Sequence, residues 1–185
     1  MQIIRDITLF PQQGSVVTVG SFDGVHRGHQ VLLRALVAEA EEQGSLAVVV
    51  SFETHPRIAL GRGEGLHLLT TLEQKAALLE QFGVDCLVLL PFDEAFSKMS
   101  GEEFVTSILV EQLHANTLIA GYNHRFGHDR IEAATLRYEG LRVVRIEREE
   151  VEGAKVSSSE IRRLLAEGRT AEAEKLLGHN QYQQQ

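Results

Sequence analysis

A chain of 185 residues, 43% of them hydrophobic, can bury one substantial core, and a single domain is the expected count. Its formal net charge of −8 weighs against a general binder of nucleic acid or of an anionic membrane and leaves room only for a local basic site. The single cysteine, Cys86, supports no disulfide framework, no apolar run reaches spanning length, and the N-terminus lacks a signal peptide's basic start and long apolar region, so a cytoplasmic protein is expected.

Ser15-Val16-Val17-Thr18-Val19 is short and β-branched and reads as a buried strand. Residues 30–43 carry Val, Leu and Ala at helical spacing, and Gly44 closes that helix. Between them lies Gly20-Ser21-Phe22-Asp23-Gly24-Val25-His26-Arg27-Gly28-His29, a glycine-bearing turn from strand to helix. The run Leu46–Phe52 reads as a strand covered on both faces. A helix over 71–82 follows, capped by Thr70 or Thr71 and stopped by Gly83. Then come a strand at Cys86–Leu90, a helix over 101–112, and strands over 117–120 and 141–146. Helices over 160–167 and 171–177 close the chain, and the polar tail 181–185 is expected to fray. Strands separated by helices imply an α/β fold, a parallel sheet with helices on both faces and right-handed crossovers. Ligands in such folds sit beyond the C-terminal strand ends, which is where residues 20–29 fall.

Glycines there let the backbone approach a ligand, and a helix N-terminus offers free N–H groups and partial positive charge. Phosphate is the natural guest, with His26 and His29 adding donors aimed at the same anion. The stretch matches neither GxGxxG nor GxxxxGK[ST]. A His-x-x-His pair could also face zinc, but no further Cys/His set completes such a site, and an ordinary strand–turn–helix with two surface histidines is the plain alternative.

Two later stretches also fall at ligand-edge positions, and a third opens a helix. Ser51-Phe52-Glu53-Thr54-His55-Pro56-Arg57 follows a strand, and Pro56 keeps His55 extended. Gly121-Tyr122-Asn123-His124-Arg125-Phe126-Gly127 suits a loop contacting an anion or a ring edge, or a solvated turn. In Lys155-Val156-Ser157-Ser158-Ser159-Glu160-Ile161-Arg162, Ser157 and Glu160 form a candidate capping box, and the serine-led helix start with Lys155 and Arg162 is a second anion site.

The His26-x-Gly28-His29 core resembles the signature of the HIGH-type nucleotidyltransferases. The longer form over residues 20–29 is similar to that of the bacterial bifunctional riboflavin kinase/FAD synthetases, in their FMN adenylyltransferase domain. The other three stretches resemble the family's F-x-P-H-P, G-x-(D/N)-x-x-F-G and (I/V)-S-S-(T/S)-x-I-R motifs, with Thr54 in place of a common proline and His124 in place of a common phenylalanine. Four ordered motifs carry far more weight than one.

The resemblance implies a Rossmann-like nucleotidyltransferase fold and the reaction ATP + FMN → FAD + pyrophosphate. On it, His26, His29 and Asn123 are the candidate catalytic residues. Gly20, Phe22, Asp23, Gly24, His26, His29, Lys155, Ser158 and Arg162 would bind ATP, and Phe52, His55, Asn123 and Arg125 would bind FMN. Mg²⁺ is expected, held mainly by the phosphates, with Asp23 a candidate ligand or a cap of the turn. The resemblance covers about 16–178, so residues 1–178 read as the adenylyltransferase domain and 179–185 as a polar tail. The resembled family carries a riboflavin kinase domain after this one; none is expected in 185 residues, which read either as a lone adenylyltransferase or as a truncation, and FMN would come from elsewhere, a separate riboflavin kinase being one source. Two other readings stand beside this one: a nucleotidyltransferase with another phosphorylated acceptor, such as pantetheine phosphate or nicotinamide mononucleotide, and a flavin or nucleotide binder without turnover.

Overall fold

A computed structural model describes residues 1–122, 124–147, 150–151 and 154–182. The elements in chain order are β1 (Gln2–Ile4), β2 (Ser15–Val19), α1 (Arg27–Gln43), β3 (Leu46–Phe52), α2 (Pro56–Ala59), α3 (Leu72–Gln81), β4 (Cys86–Leu90), α4 (Glu94–Ser97) and α5 (Gly101–Glu103). There follow a π-helical stretch (Phe104–Gln112), β5 (Ala115–Gly121), the short pair β6 (Arg125–Phe126) and β7 (Ile131–Glu132), β8 (Arg142–Ile146), the pair β9 (Glu150–Val151) and β10 (Ala154–Lys155), α6 (Ser158–Ala166) and α7 (Thr170–Leu177).

Six strands form one parallel sheet in the order β1-β4-β3-β2-β5-β8. Strand parity divides its side chains. Val17, Val19, Val48, Val50 and Leu118 face one core, shared with Phe104 and Leu109. Val16, Val49, Leu87, Leu89 and Ile119 face the other, shared with Leu33 and Leu36 of α1 and Leu78 and Leu79 of α3. Apolar residues on both faces explain the unbroken runs in β3 and β4. From β2 the chain builds β3 and β4 to one side, with α1 and α3 over one face, and then crosses to β5 and β8 on the other side. The order therefore reverses between β2 and β5, and a crevice opens there beyond the strand ends.

Several boundaries differ from the expectations of the sequence. β1 is an edge strand of three residues with only Ile4 buried, too short to show alternation. α1 begins at Arg27 rather than at residue 30. The expected helix over 101–112 starts as α5 with a complete Ser100/Glu103 capping box, then widens into a π-helix in which the Leu113 N–H donates to the Ile108 carbonyl at 3.0 Å. Val105, Thr106, Ile108 and Val110 are β-branched and favour a tight α-turn poorly, while the wider turn lets Phe104 and Leu109 both reach the sheet. In α3 both halves of the Thr71/Gln74 capping box form. In α6 only one half forms: the Ser157 hydroxyl accepts from the Glu160 N–H, but the Glu160 carboxylate turns to Arg163.

The tail does not fray at Tyr182. That ring is buried in a third core with Leu69, Ile161, Leu164 and Leu177, and its hydroxyl donates to Glu174 at 3.1 Å. Residues 183–185 lie outside the described residues.

Candidate active site

The turn after β2 is strained and heavily tied down. Phe22 and Val25 sit at φ +48° and +38°, left-handed values that a bulky or β-branched residue adopts only under constraint. Gly24 sits at φ +81°, and a Cβ there would come 2.8 Å from Leu69. Asp23 supplies much of the constraint. One carboxylate oxygen accepts from the N–H groups of Leu69 at 2.8 Å and Thr70 at 3.2 Å, and the other pairs with the Arg162 guanidinium. The Asp23 carbonyl accepts from the Ser158 hydroxyl at 2.9 Å, and Arg162 also donates to the His67 carbonyl at 2.7 Å. One buried carboxylate thus joins the turn, the 67–70 loop and the start of α6.

The chain's last helix grips the same turn from behind. The Gln30 amide donates to the carbonyls of Val25 at 3.0 Å and Leu177 at 2.7 Å, and Arg27 donates to the Lys175 carbonyl at 2.8 Å. His179 accepts the Gln181 N–H at Nδ1, so its Nε2 carries the proton and donates to the Gly24 carbonyl at 2.8 Å.

His26 is the N-cap of α1, its Nδ1 accepting from the His29 N–H at 3.3 Å. That contact places the His26 proton on Nε2. The two imidazoles stack with centroids 3.7 Å apart and planes 12° from parallel, and Phe22 lies 4.8 Å from His29 on its other side. His29 Nδ1 is buried with no partner among the described residues. An unpaired lone pair is tolerated in such a place better than an unpaired N–H, so Nε2 bears the His29 proton too. Burial pulls the His26 pKa down to about 4, and burial, aided by His26 and Lys75, holds His29 well below the ordinary imidazole value. At neutral pH both rings are neutral Nε2–H donors.

These rings line a cavity of about 430 Å³ at the β2/β5 crevice. Gly20, Phe22, His26, Gly28 and His29 form one wall, and Lys155, Ser157, Ser158, Ser159 and Arg162 form the facing wall at the start of α6. His55 and Arg57 enter from the β3 side, and Tyr122 and His124 from the β5 side. Two helix N-termini and the imidazole pair therefore share one hollow, a site built for a polyanion.

The expected site residues divide accordingly. Gly20, Phe22, His26, His29, His55, Lys155, Ser158 and Arg162 line the cavity. The Ser158 hydroxyl is spent on Asp23, which leaves the backbone at the start of α6 to meet a ligand. Asp23 and Gly24 shape the turn from behind the cavity wall. Phe52, expected beside the flavin, packs edge-on against Phe92 and Phe96, with centroids 5.2 and 5.6 Å away. Arg125, expected at the same ligand, is exposed and pairs with Glu132 across the β6–β7 hairpin at 2.7 Å. Asn123 lies outside the described residues. His124 keeps the aromatic role of the phenylalanine it replaces: its ring lies 4.4 Å from Phe126, and burial lowers its pKa to about 4.

Among the described residues no group of three or more His, Cys, Asp or Glu side chains is placed to hold a metal ion. Both Asp23 oxygens are already engaged, so that carboxylate does not fit the part of a magnesium ligand. Sequence reasoning missed Arg57, Lys75 and His179. Arg57 was detectable as a cation in a ligand-edge loop; the other two look like ordinary polar positions of a helix and a tail.

The family model described as FAD synthetase matches residues 10–160. The chain belongs to the FAD synthetase family. This FAD synthetase-family chain is 33% identical to the bifunctional riboflavin kinase/FMN adenylyltransferase of Escherichia coli (strain K12) over 182 residues, 95% of this chain and 58% of that protein. It is 37% identical to the protein of the same description from Pseudomonas fluorescens, over 96% of this chain and 59% of that one. It thus spans less than two thirds of the length of these relatives. A solved structure described as a macrolide-efflux protein from Streptococcus pneumoniae superposes with a TM-score of 0.87 at 31% identity, covering 97% of this chain and 62% of that chain. The pantoate-beta-alanine ligase of Francisella tularensis, solved with a nucleotide and beta-alanine, shares the fold at a TM-score of 0.52 and 15% identity, covering 90% of this chain and 78% of that chain. Among the described residues of this FAD synthetase-family member, no helix is long and apolar enough to cross a membrane.

Proposed function

We propose that this chain transfers the adenylyl group of ATP to the phosphate of FMN, giving FAD and pyrophosphate. The observation that carries this reading is the convergence of the α1 and α6 N-termini and the His26–His29 pair on one cavity, in a chain of the FAD synthetase family. An FMN phosphate oxygen attacks the α-phosphorus of ATP, the bond from that phosphorus to the bridging oxygen breaks, and pyrophosphate departs with the electron pair. The phosphate nucleophile is already anionic at neutral pH, so no strong general base is required. The barrier lies in bringing anions together and in the charge that builds on the leaving group. His26 and His29, as neutral Nε2–H donors, would meet the α- and β-phosphate oxygens, with His29 the stronger contributor to the transition state. Lys155, Arg162 and the backbone at the start of α6 would hold the departing phosphates. His55 and the loop holding Asn123 would face FMN, with Asn123 orienting its phosphate. Magnesium enters as an ion carried on the phosphates. The protein acts in the cytoplasm, and a riboflavin kinase activity supplies its FMN.

The test is chromatography of a reaction of the purified protein with FMN, ATP and magnesium, alongside a pyrophosphate assay. FAD and pyrophosphate in equal amounts are expected. Binding of both substrates without either product would favour a flavin or nucleotide sensor. Turnover with pantetheine phosphate or nicotinamide mononucleotide in place of FMN would move the acceptor assignment.

A further inference from the structure

Behind the imidazole pair lies a buried ammonium that the reaction as described does not use. Lys75, on the first turn of α3, is largely buried, and its Nζ donates to the Ser21 carbonyl at 3.2 Å and the Ser51 hydroxyl at 3.2 Å. The Ser51 hydroxyl in turn donates to the same Ser21 carbonyl at 3.3 Å. Among the described residues Lys75 forms no ion pair with a carboxylate. An ammonium drawn out of water with no carboxylate at contact distance is costly to bury and usually has work to do. Here its reach is specific: Ser21 is the residue before Phe22, where the backbone enters the left-handed region at φ +48°, and Phe22 is the ring against which His29 leans. Lys75, Ser21 and His55 also border a small hollow of about 60 Å³ beside the main cavity, which Ser21 and His55 line as well.

We propose that Lys75 is a positioning residue of the phosphate site: by holding the Ser21 carbonyl it fixes the strained entry to the turn and so aims the His29 ring at the reacting phosphates. Strain at Phe22 and Val25 persists only if neighbours over-determine the backbone, and among the described residues Lys75 is the one side chain of α3 that hydrogen-bonds this turn. Asp23 secures the turn's middle and Gln30 and His179 its far end, whereas the near end is held by Lys75, by Ser51 and by the Gly20 N–H donating to the Val50 carbonyl at 3.0 Å. The positive charge also stands behind a site whose ligand is a polyanion, and the nearest carboxylate to act on it, Asp23, is itself paired with Arg162. The idea rests on the adenylyl-transfer reading above.

The Lys75→Met variant tests it, since methionine fills the space of the lysine stem as far as Cε and the Ser51 hydroxyl still satisfies the Ser21 carbonyl. Four things are measured on purified protein: melting temperature, calorimetric binding of a non-hydrolysable ATP analogue, kcat, and KM for ATP and FMN. For Lys75→Met the expectation is a melting temperature within a few degrees of wild type, a kcat lower by roughly 30- to 100-fold and a KM for FMN changed less than about threefold. Lys75→Arg, which keeps charge and donors, should recover most of kcat. A kcat for Lys75→Met within about threefold of wild type overturns the proposal, as does a loss that Lys75→Arg fails to recover. Should Lys75→Met not fold, Lys75→Gln is judged by the same kcat ratio and recovery. Wild type that binds the analogue yet makes no FAD would overturn the adenylyl-transfer reading instead, so the two failures are told apart.

Discussion

At the scale of single residues, the site depends on two imidazoles held neutral and parallel. A ring kept uncharged by burial donates one N–H without importing a charge that must later be released with product. Removing the His29 donor with His29→Ala should lower kcat by about 10²- to 10³-fold, the usual cost of one transition-state donor, while the protein still melts cooperatively; steady-state FAD formation and a thermal melt together check this. Asp23 behaves differently, because its work is structural. Asp23→Ala strips two backbone N–H groups and a buried guanidinium of their acceptor and should cost about 3–5 kcal/mol by urea denaturation. Gly24→Ala combines a φ of +81° with a Cβ 2.8 Å from Leu69 and should cost about 1–3 kcal/mol in the same experiment.

At the scale of elements, the sequence made some of this readable and hid the rest. The β2 run ending at Gly20, the glycines of the turn and the serine-led start of α6 announce themselves, because strand periodicity and helix caps are local properties. The surroundings of Phe52 follow from parity, and it lines the small hollow beside the main cavity together with His55. Val48 and Val50 face the Phe104 side of the sheet, and Phe52 continues that alternation into the aromatic cluster. Ser51 takes the opposite face, toward α3, which is how it comes to meet Lys75. The pairing of Arg125 with Glu132 was hidden for a different reason: a hairpin of two-residue strands carries no pattern, so it is visible only once the register is known. Gln30, Lys75 and His179 owe their roles to partners 24 to 155 positions away, which no local window contains. The caps themselves are testable at this scale. Ser157→Ala leaves an N-terminal N–H of α6 unmet and should cost about 1 kcal/mol of stability, read as a shift in the urea midpoint.

Across the whole molecule, the buried histidines make stability depend on pH. His26 and His124 have folded-state pKa values of about 4, below the ordinary 6.5 expected when unfolded. The unfolded chain therefore binds more protons between those values, so stability is full above about pH 6.5 and falls as the solution is acidified toward pH 4. Each ring should account for about 2 kcal/mol of loss by pH 5, so urea midpoints at pH 7 and pH 5 should differ clearly. His124→Phe should flatten that slope, because its ring serves as an aromatic plate against Phe126 and phenylalanine carries no proton to gain.

The grip of the last helix on the phosphate turn bears on where this polypeptide can be cut. A boundary at Gly178, natural from the motifs alone, would sever His179 from the Gly24 carbonyl and Tyr182 from the core it shares with Leu69 and Leu177. A shortened protein ending there should lose its heat resistance and its nucleotide affinity together. Any tension applied through the stretch of chain leaving that helix would be felt, within one hydrogen bond, at the turn that follows β2.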